Sequence, residues 1–334
     1  MRLALPWVWR PCWGWGHHGP DGRGLLVAWH DHLVATAKPI SPRAGLLAIC
    51  AAGVLWGTGG LAVQLIRERL PMSTLTVSAW RMALAALVLI ITVVVGRHGP
   101  ALWALMRARP KTAVFVGSCT AAYQALYFWA VTEAGVTIAT VVSLGLAPVL
   151  LTLWDARRLR PSTRRVGVLI AALSGLVIVT VAASSSGVIT GPHPMVGVLA
   201  ACLSGASYAV ATQVGRPLAA GHPAVVLTAV TTVAGTLALT PLALLSGGPF
   251  APADLPTWSI LVYLGVFTMA LAYGLLYAGL RTTTGSAAVI ATLLEPVTAG
   301  VVAWLVLGER IGLLGVAGML LILGAVAGLG EEAP

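Results

Sequence analysis

Apolar residues along this chain of 334 residues gather into ten runs of about bilayer length, separated by short connectors in which Arg, Pro and Gly concentrate. A helix needs about 20 predominantly apolar residues to cross the hydrocarbon core. The runs predict spanning helices over 44–66, 73–95, 112–132, 136–154, 164–183, 195–214, 223–246, 257–280, 284–307 and 311–329. The connectors carry helix-ending punctuation: Arg67-Glu68-Arg69-Leu70-Pro71, Arg107-Ala108-Arg109-Pro110-Lys111, Arg157-Arg158-Leu159-Arg160-Pro161 and Gly247-Gly248-Pro249. None is long enough to hold a soluble domain. With 58% of residues hydrophobic and only 9% charged, the chain could not cover a water-soluble surface of this size. The expected fold class is therefore all-α integral membrane, with ten transmembrane helices.

Charge then orients the spans. The formal net charge is +10, yet the basic residues are scattered through the connectors rather than gathered on one polar face, which argues for a lipid bilayer as partner and against nucleic acid. The N-terminal segment and the even-numbered connectors hold 16 of the 20 Lys and Arg, the odd-numbered ones only Arg67, Arg69 and Arg310. Lys and Arg concentrate on the cytoplasmic side. Both termini are thus expected in the cytoplasm of a multi-pass protein of the cell membrane. The four cysteines, Cys12, Cys50, Cys119 and Cys202, stand far apart without C-x-x-C spacing, so neither a disulfide framework nor a thiolate metal site is suggested. Residues 1–43 read as a disordered or interfacial tail. It is rich in Trp and His, and neither a signal peptide nor a metal site at His17, His18, His30 and His32 is favoured by its pattern.

The chain repeats itself at an offset of 148 residues: Trp129-Ala130 through Pro148-Val149 aligns without a gap on Tyr277-Ala278 through Pro296-Val297, Gly57 falls on Gly205 and Gly167 on Gly315. Helix 2 needs a shift of about four residues to bring Pro71 onto Pro223. The copies are expected over 44–183 and 195–330, with five spans each. Because five is odd, the second copy enters the membrane from the opposite side, an inverted-topology repeat of the kind secondary transporters use to build a site near the midplane. Gly and Ala crowd helices 1, 5, 6, 9 and 10, where small residues let helices approach closely in lipid.

Two ionisable side chains fall inside the predicted spans, Arg81 and Glu295. At 1.5 Å per residue Glu295 lies roughly 16 Å into its helix, near the middle of the membrane. An acid there is costly and should face a cavity or a partner. Proton coupling, binding of a cationic group of a substrate, and a structural bond to backbone or to Arg81 are all open readings. Arg81 could bind a carboxylate through its planar fork, pair with Glu295, or hold a carbonyl. Pro296 removes a backbone donor and frees the carbonyl of Thr292, and Pro148 does the same for Leu144, so both positions are expected to break their helices beside protein or water. Trp56, Tyr123, Tyr127, Tyr208, Tyr273 and Tyr277 are candidate cavity walls, with Gln124 as a neutral hydrogen-bonding group. Trp103, Trp154 and Trp258 read as interfacial anchors. No cofactor and no metal site is called for.

These residues resemble a known family. Trp56-Gly57-Thr58, Arg81, Tyr127-Phe128-Trp129-Ala130, Ala147-Pro148-Val149, Leu294-Glu295-Pro296-Val297, Leu307-Gly308-Glu309-Arg310 and the Gly315, Gly318, Gly324 series look like the EamA-type branch of the drug/metabolite transporter superfamily. The resemblance covers both copies. It implies a permease that moves small polar or amphipathic metabolites, typically outward, among them amino acids, purines and drug-like compounds. The chain departs from the pattern in its first copy, which has Arg160-Pro161-Ser162 in place of Gly-Glu-Arg and Ala147 in place of Glu295. The expected partners are a small-molecule substrate and, if transport is coupled, protons. A monomer and a homodimer fit equally. An uncoupled facilitator is the alternative, and an intramembrane enzyme is disfavoured because no His and no Asp falls within the predicted spans.

Overall fold

The computed structural model describes residues 41–157, 162–183, 192–307 and 312–330. Residues 1–40 of the expected tail, with its histidines and Cys12, lie outside the described residues, as do Arg160-Pro161 and Gly308-Glu309-Arg310; residues 42 and 43, expected in the tail, already belong to the first helix.

The described chain is helical: α1 Pro42–Arg69, α2 Thr74–Val95, α3 Gly99–Ala108, α4 Pro110–Ala134, α5 Val136–Ala156, α6 Thr163–Ala183, α7 Pro194–Gly221, α8 Ala224–Leu245, α9 Leu255–Gly279, α10 Gly285–Val306 and α11 Leu313–Gly330. Nine of these are long and apolar enough to span a bilayer. The tenth span, α11, has 18 residues, roughly 27 Å of helix and just enough for a thin hydrocarbon core. Polar residues start several of them: Ser41, Ser73, Asp254 and Thr284 each accept a hydrogen bond from a backbone N–H three residues on.

One element was not legible as a helix. The connector over 96–109 holds α3, ten residues long, with Leu105 buried and Trp103 turned outward. It is too short to register as a span, and its apolar face is a single stripe. Elsewhere large apolar side chains face outward in number, from Leu87 and Ile91 on α2 to Leu245 on α8 and Leu313 on α11. Water would not tolerate that surface, and lipid does.

The two copies pack around a pseudo-two-fold axis, visible in which helices touch. The α1–α10 contact has its mirror in α5–α7, α1–α9 in α4–α7, and α2–α9 in α4–α8, while α2–α8 and α6–α11 are their own mirrors. Glycines set the closest of these approaches. A Cβ on Gly57 would fall 2.5 Å from the Glu295 carbonyl oxygen on α10, and one on its repeat partner Gly205 would fall 2.5 Å from the Ser143 carbonyl oxygen on α5. The repeat in the sequence is therefore a repeat in the packing.

Candidate functional site

Between the copies lies a cavity of about 270 Å³, reached by α1, α2, α4, α5, α7, α9 and α10. Eight of the nine residues singled out as cavity candidates line it: Trp56, Arg81, Tyr123, Gln124, Tyr127, Tyr208, Tyr273 and Glu295. Tyr277 does not; it is buried, with its ring against Gly215 of α7.

Glu295 sits in the first turn after an interruption in α10, where the helix stops at Thr292 and resumes at Leu294. Pro296 cannot donate a hydrogen bond back to Thr292, and Gly53 of α1 lets that helix pass close to the Thr292 backbone. Pro148 behaves differently: α5 runs through it without interruption. The two prolines nonetheless act at equivalent places, because the residues whose carbonyls they free, Leu144 and Thr292, both line the cavity. Among the described residues Glu295 has no hydrogen-bond partner and forms no ion pair.

Arg81 is held from elsewhere. Its Nη2 donates to the Thr268 hydroxyl at 3.0 Å, while its Nε is buried without a partner. Thr268 lies in a π-helical segment of α9, Leu264–Leu271. Its hydroxyl donates to the Leu264 carbonyl at 2.7 Å, and its own carbonyl accepts the Trp56 indole N–H at 2.8 Å. The indole thus bonds to a carbonyl inside the π segment, a kind of turn found frequently at functional sites. Trp56 then meets Tyr273 edge-on, with ring centroids 5.0 Å apart. Thr268 was not legible as a site residue, since a lone threonine in Leu-Gly-Val-Phe-Thr-Met-Ala-Leu carries no signal until the fold brings Trp56 and Arg81 to it.

On the opposite wall Tyr123 stacks on Tyr208 at 5.0 Å, and the Tyr127 hydroxyl bonds to that of Thr140 at 2.9 Å. The Tyr208 hydroxyl reaches Thr292 at 3.4 Å, which ties α7 to the interruption in α10. Gln124 is 6% exposed, and neither its Nε2 nor its Oε1 has a partner among the described residues.

Among the described residues, the cavity runs out toward the Arg67 end and is floored at the other. Gly60, Val63 and Arg67 of α1 line both it and an outer depression beside Gln64, Glu68 and Pro71. At the other end Tyr208 and Val289 pack with Ala147 and Leu151 into an apolar floor. Beyond the floor Asp155, at the end of α5, accepts from the Ser286 hydroxyl at 2.7 Å and from the Ser286 N–H at 3.4 Å, across the first turn of α10.

Comparison with known proteins places this arrangement. The model of the EamA-like transporter family matches residues 43–182 and again 195–330. The chain belongs to the EamA-like transporter family. It is 30% identical over 270 residues to the uncharacterized transporter YwfM of Bacillus subtilis, covering 79% of this chain and 86% of that one. It is 25% identical over 293 residues to the uncharacterized inner membrane transporter YicL of Salmonella typhimurium, covering 86% and 95%. A crystal structure shares the fold at a TM-score of 0.74 and 20% identity, over 87% of this chain and 97% of that one. This EamA-like protein is thus a multi-pass membrane transporter, and its two matched regions are the two copies of the repeat.

Proposed function

We propose that the protein is a secondary transporter that moves a small metabolite, an amino acid or a drug-like compound out across the cytoplasmic membrane by alternating access, with both termini in the cytoplasm. Glu295 exchanges a proton for substrate in the central cavity. The observation that carries this reading is an unpaired carboxylate near the middle of a spanning helix, facing a cavity that is open at one end and floored at the other. Such a group can hold a proton or a cationic group, and it can change partner as access changes sides. A cavity just below the range of drug-sized pockets suits a metabolite-sized solute. The aromatic wall offers its flat part a surface, and Arg81 offers an anionic part a partner. In the alternate state the Arg67 end closes, and the Asp155–Ser286 contact with the floor beneath the cavity opens.

The test is a substrate screen by resistance of an overexpressing strain, followed by transport of the hit in proteoliposomes with and without an imposed proton gradient. The wild type is expected to concentrate substrate against its gradient only when the proton gradient is present. Glu295→Gln is expected to abolish concentration and flatten the pH dependence. Equilibration without concentration in the wild type would mean an uncoupled facilitator. Unchanged pH dependence in Glu295→Gln would remove that residue from the coupling.

A further inference from the structure

Among the described cavity-lining side chains, the charged Glu295 carboxylate and the Arg81 Nε lack hydrogen-bond partners, and the neutral Gln124 amide lacks them at both of its ends. The Trp56 indole, the Tyr127 and Tyr208 hydroxyls and the Arg81 Nη2 each have a hydrogen-bond partner within the wall. Gln124 has none for either end of its amide, although it is more than nine-tenths buried. Turning the amide over does not help, because both ends lack partners. Packing does not require a glutamine here either. A methionine of the same length would fill the space without a buried polar group to satisfy, and an unmade hydrogen bond is worse than an apolar replacement of the same shape. The repeat counterpart of Gln124 is Ala272, so the scaffold does not call for an amide at this position.

We propose that Gln124 selects the transported solute by pairing with a neutral donor–acceptor edge on it, a carboxamide or a lactam. This rests on the reading of the cavity as the substrate site. An amide presents a donor and an acceptor side by side. A carboxylate would satisfy only its NH2 and an ammonium only its oxygen, and both of those groups have a charged partner nearby in Arg81 or Glu295. The ligand group that satisfies both ends at once is another amide-like edge. Tyr123, the residue before Gln124, stacks with Tyr208 to make an adjoining flat wall, so the edge belongs on a planar molecule. A buried polar group left unpaired makes a site reject analogues that lack the matching group far more strongly than an apolar pocket rejects a missing methylene.

Benzamide and acetophenone make a matched pair of probes, equal in shape and differing in an NH2 against a CH3. Binding of each to the purified full chain in nanodiscs, read by ligand-induced shift of the unfolding midpoint, is expected to favour benzamide at least tenfold. In Gln124→Met the preference is expected to fall to within about twofold, while the midpoint of the ligand-free protein stays level or rises. The binding assay uses no proton gradient, so its outcome stands whether or not transport is coupled to protons, and the two readings fail separately. No benzamide binding to the wild type, equal affinity for both probes, or a preference that survives in Gln124→Met would overturn the proposal. A midpoint lowered by Gln124→Met with the preference intact would make Gln124 a structural residue instead.

Discussion

Thr268 shows how much one ordinary side chain can carry when the fold converges on it. Its hydroxyl anchors the Arg81 guanidinium and its carbonyl anchors the Trp56 indole, so the cation and the aromatic wall are positioned by the same residue. Thr268→Val keeps the shape and removes the acceptor for Arg81, whose Nε already lacks a partner. A hydrogen bond to a buried charged group is worth about 1.5–3 kcal/mol. A loss of that size in chemical denaturation, together with slower transport, is the expected result, and Thr268→Ser should restore most of both. Full stability in the valine variant would mean that Arg81 finds another partner. Away from the site, Arg97 adopts φ +56 just after α2, a left-handed conformation in which side chains are strained and glycine is not. Arg97→Gly is expected to raise stability by about 0.5–1 kcal/mol in the same measurement.

At the scale of elements, function depends on helices that touch closely and on ends that are tied. α1 passes against α10 at Gly57, where a Cβ would meet the Glu295 carbonyl and the Thr298 side chain, both at 2.5 Å. Backbone has little room to give, so Gly57→Val should cost more than the roughly 1–3 kcal/mol of ordinary overpacking and lower the yield of folded protein in detergent. Near-normal yield would show that α1 and α10 can separate without penalty. At the closed end, Asp155 holds the first turn of α10, and Ile290 lies beside it in the small pocket there. In a background without other reactive cysteines, Ile290→Cys is expected to react slowly with maleimide and several-fold faster once Asp155→Ala is added. Equal rates would mean that the apolar floor alone keeps that end shut. Asp254 at the start of α9 offers a pH test outside the membrane. Its hydrogen bonds to the Thr257 hydroxyl and backbone N–H hold its carboxyl below the usual range. Since the folded value is the depressed one, the stability it adds is present above the ordinary aspartate pKa and is lost as pH falls through the folded value. Asp254→Ala should therefore destabilise at pH 7 and make little difference in strong acid.

For the whole molecule, the two copies share a scaffold and divide the chemistry. Gly57 and Gly205 make equivalent close contacts, and Leu144 and Thr292 line the cavity from equivalent positions. The polar equipment has no such counterpart: the offset of 148 brings Glu295 onto Ala147, Gln124 onto Ala272 and Asp155 onto Ala303. A two-fold frame allows both ends to open, and the unequal side chains let the two states differ in energy and in what they bind. The orientation has a direct test. A single cysteine at Ala251, exposed between α8 and α9, is expected to react with an impermeant maleimide added outside intact cells, and one at Gly99, at the start of α3, only after lysis. The reverse order would invert the proposed topology.

Read by itself, the sequence determined the bilayer as solvent, ten spans, the duplication, the family and a set of cavity candidates. Each of these follows from local composition or from spacing along the chain: run length sets spans, an odd number of spans per copy sets inversion, and an acid in an apolar run must face something other than lipid. Trp56, Arg81, Gln124 and Glu295 were legible for that reason, as polar or aromatic residues where hydrocarbon was expected. Only the tertiary structure decided how those residues stand to one another. It placed Arg81 on Thr268 and left Glu295 without a partner, interrupted α10 but not α5 at equivalent prolines, widened α9 into a π turn, and opened the cavity at one end. These features arise where α1, α2, α9 and α10 meet across hundreds of residues of chain, and no spacing rule reaches that far. Hydrogen bonds in the membrane interior must be satisfied by whatever the packing brings near, so the packing chose the partners.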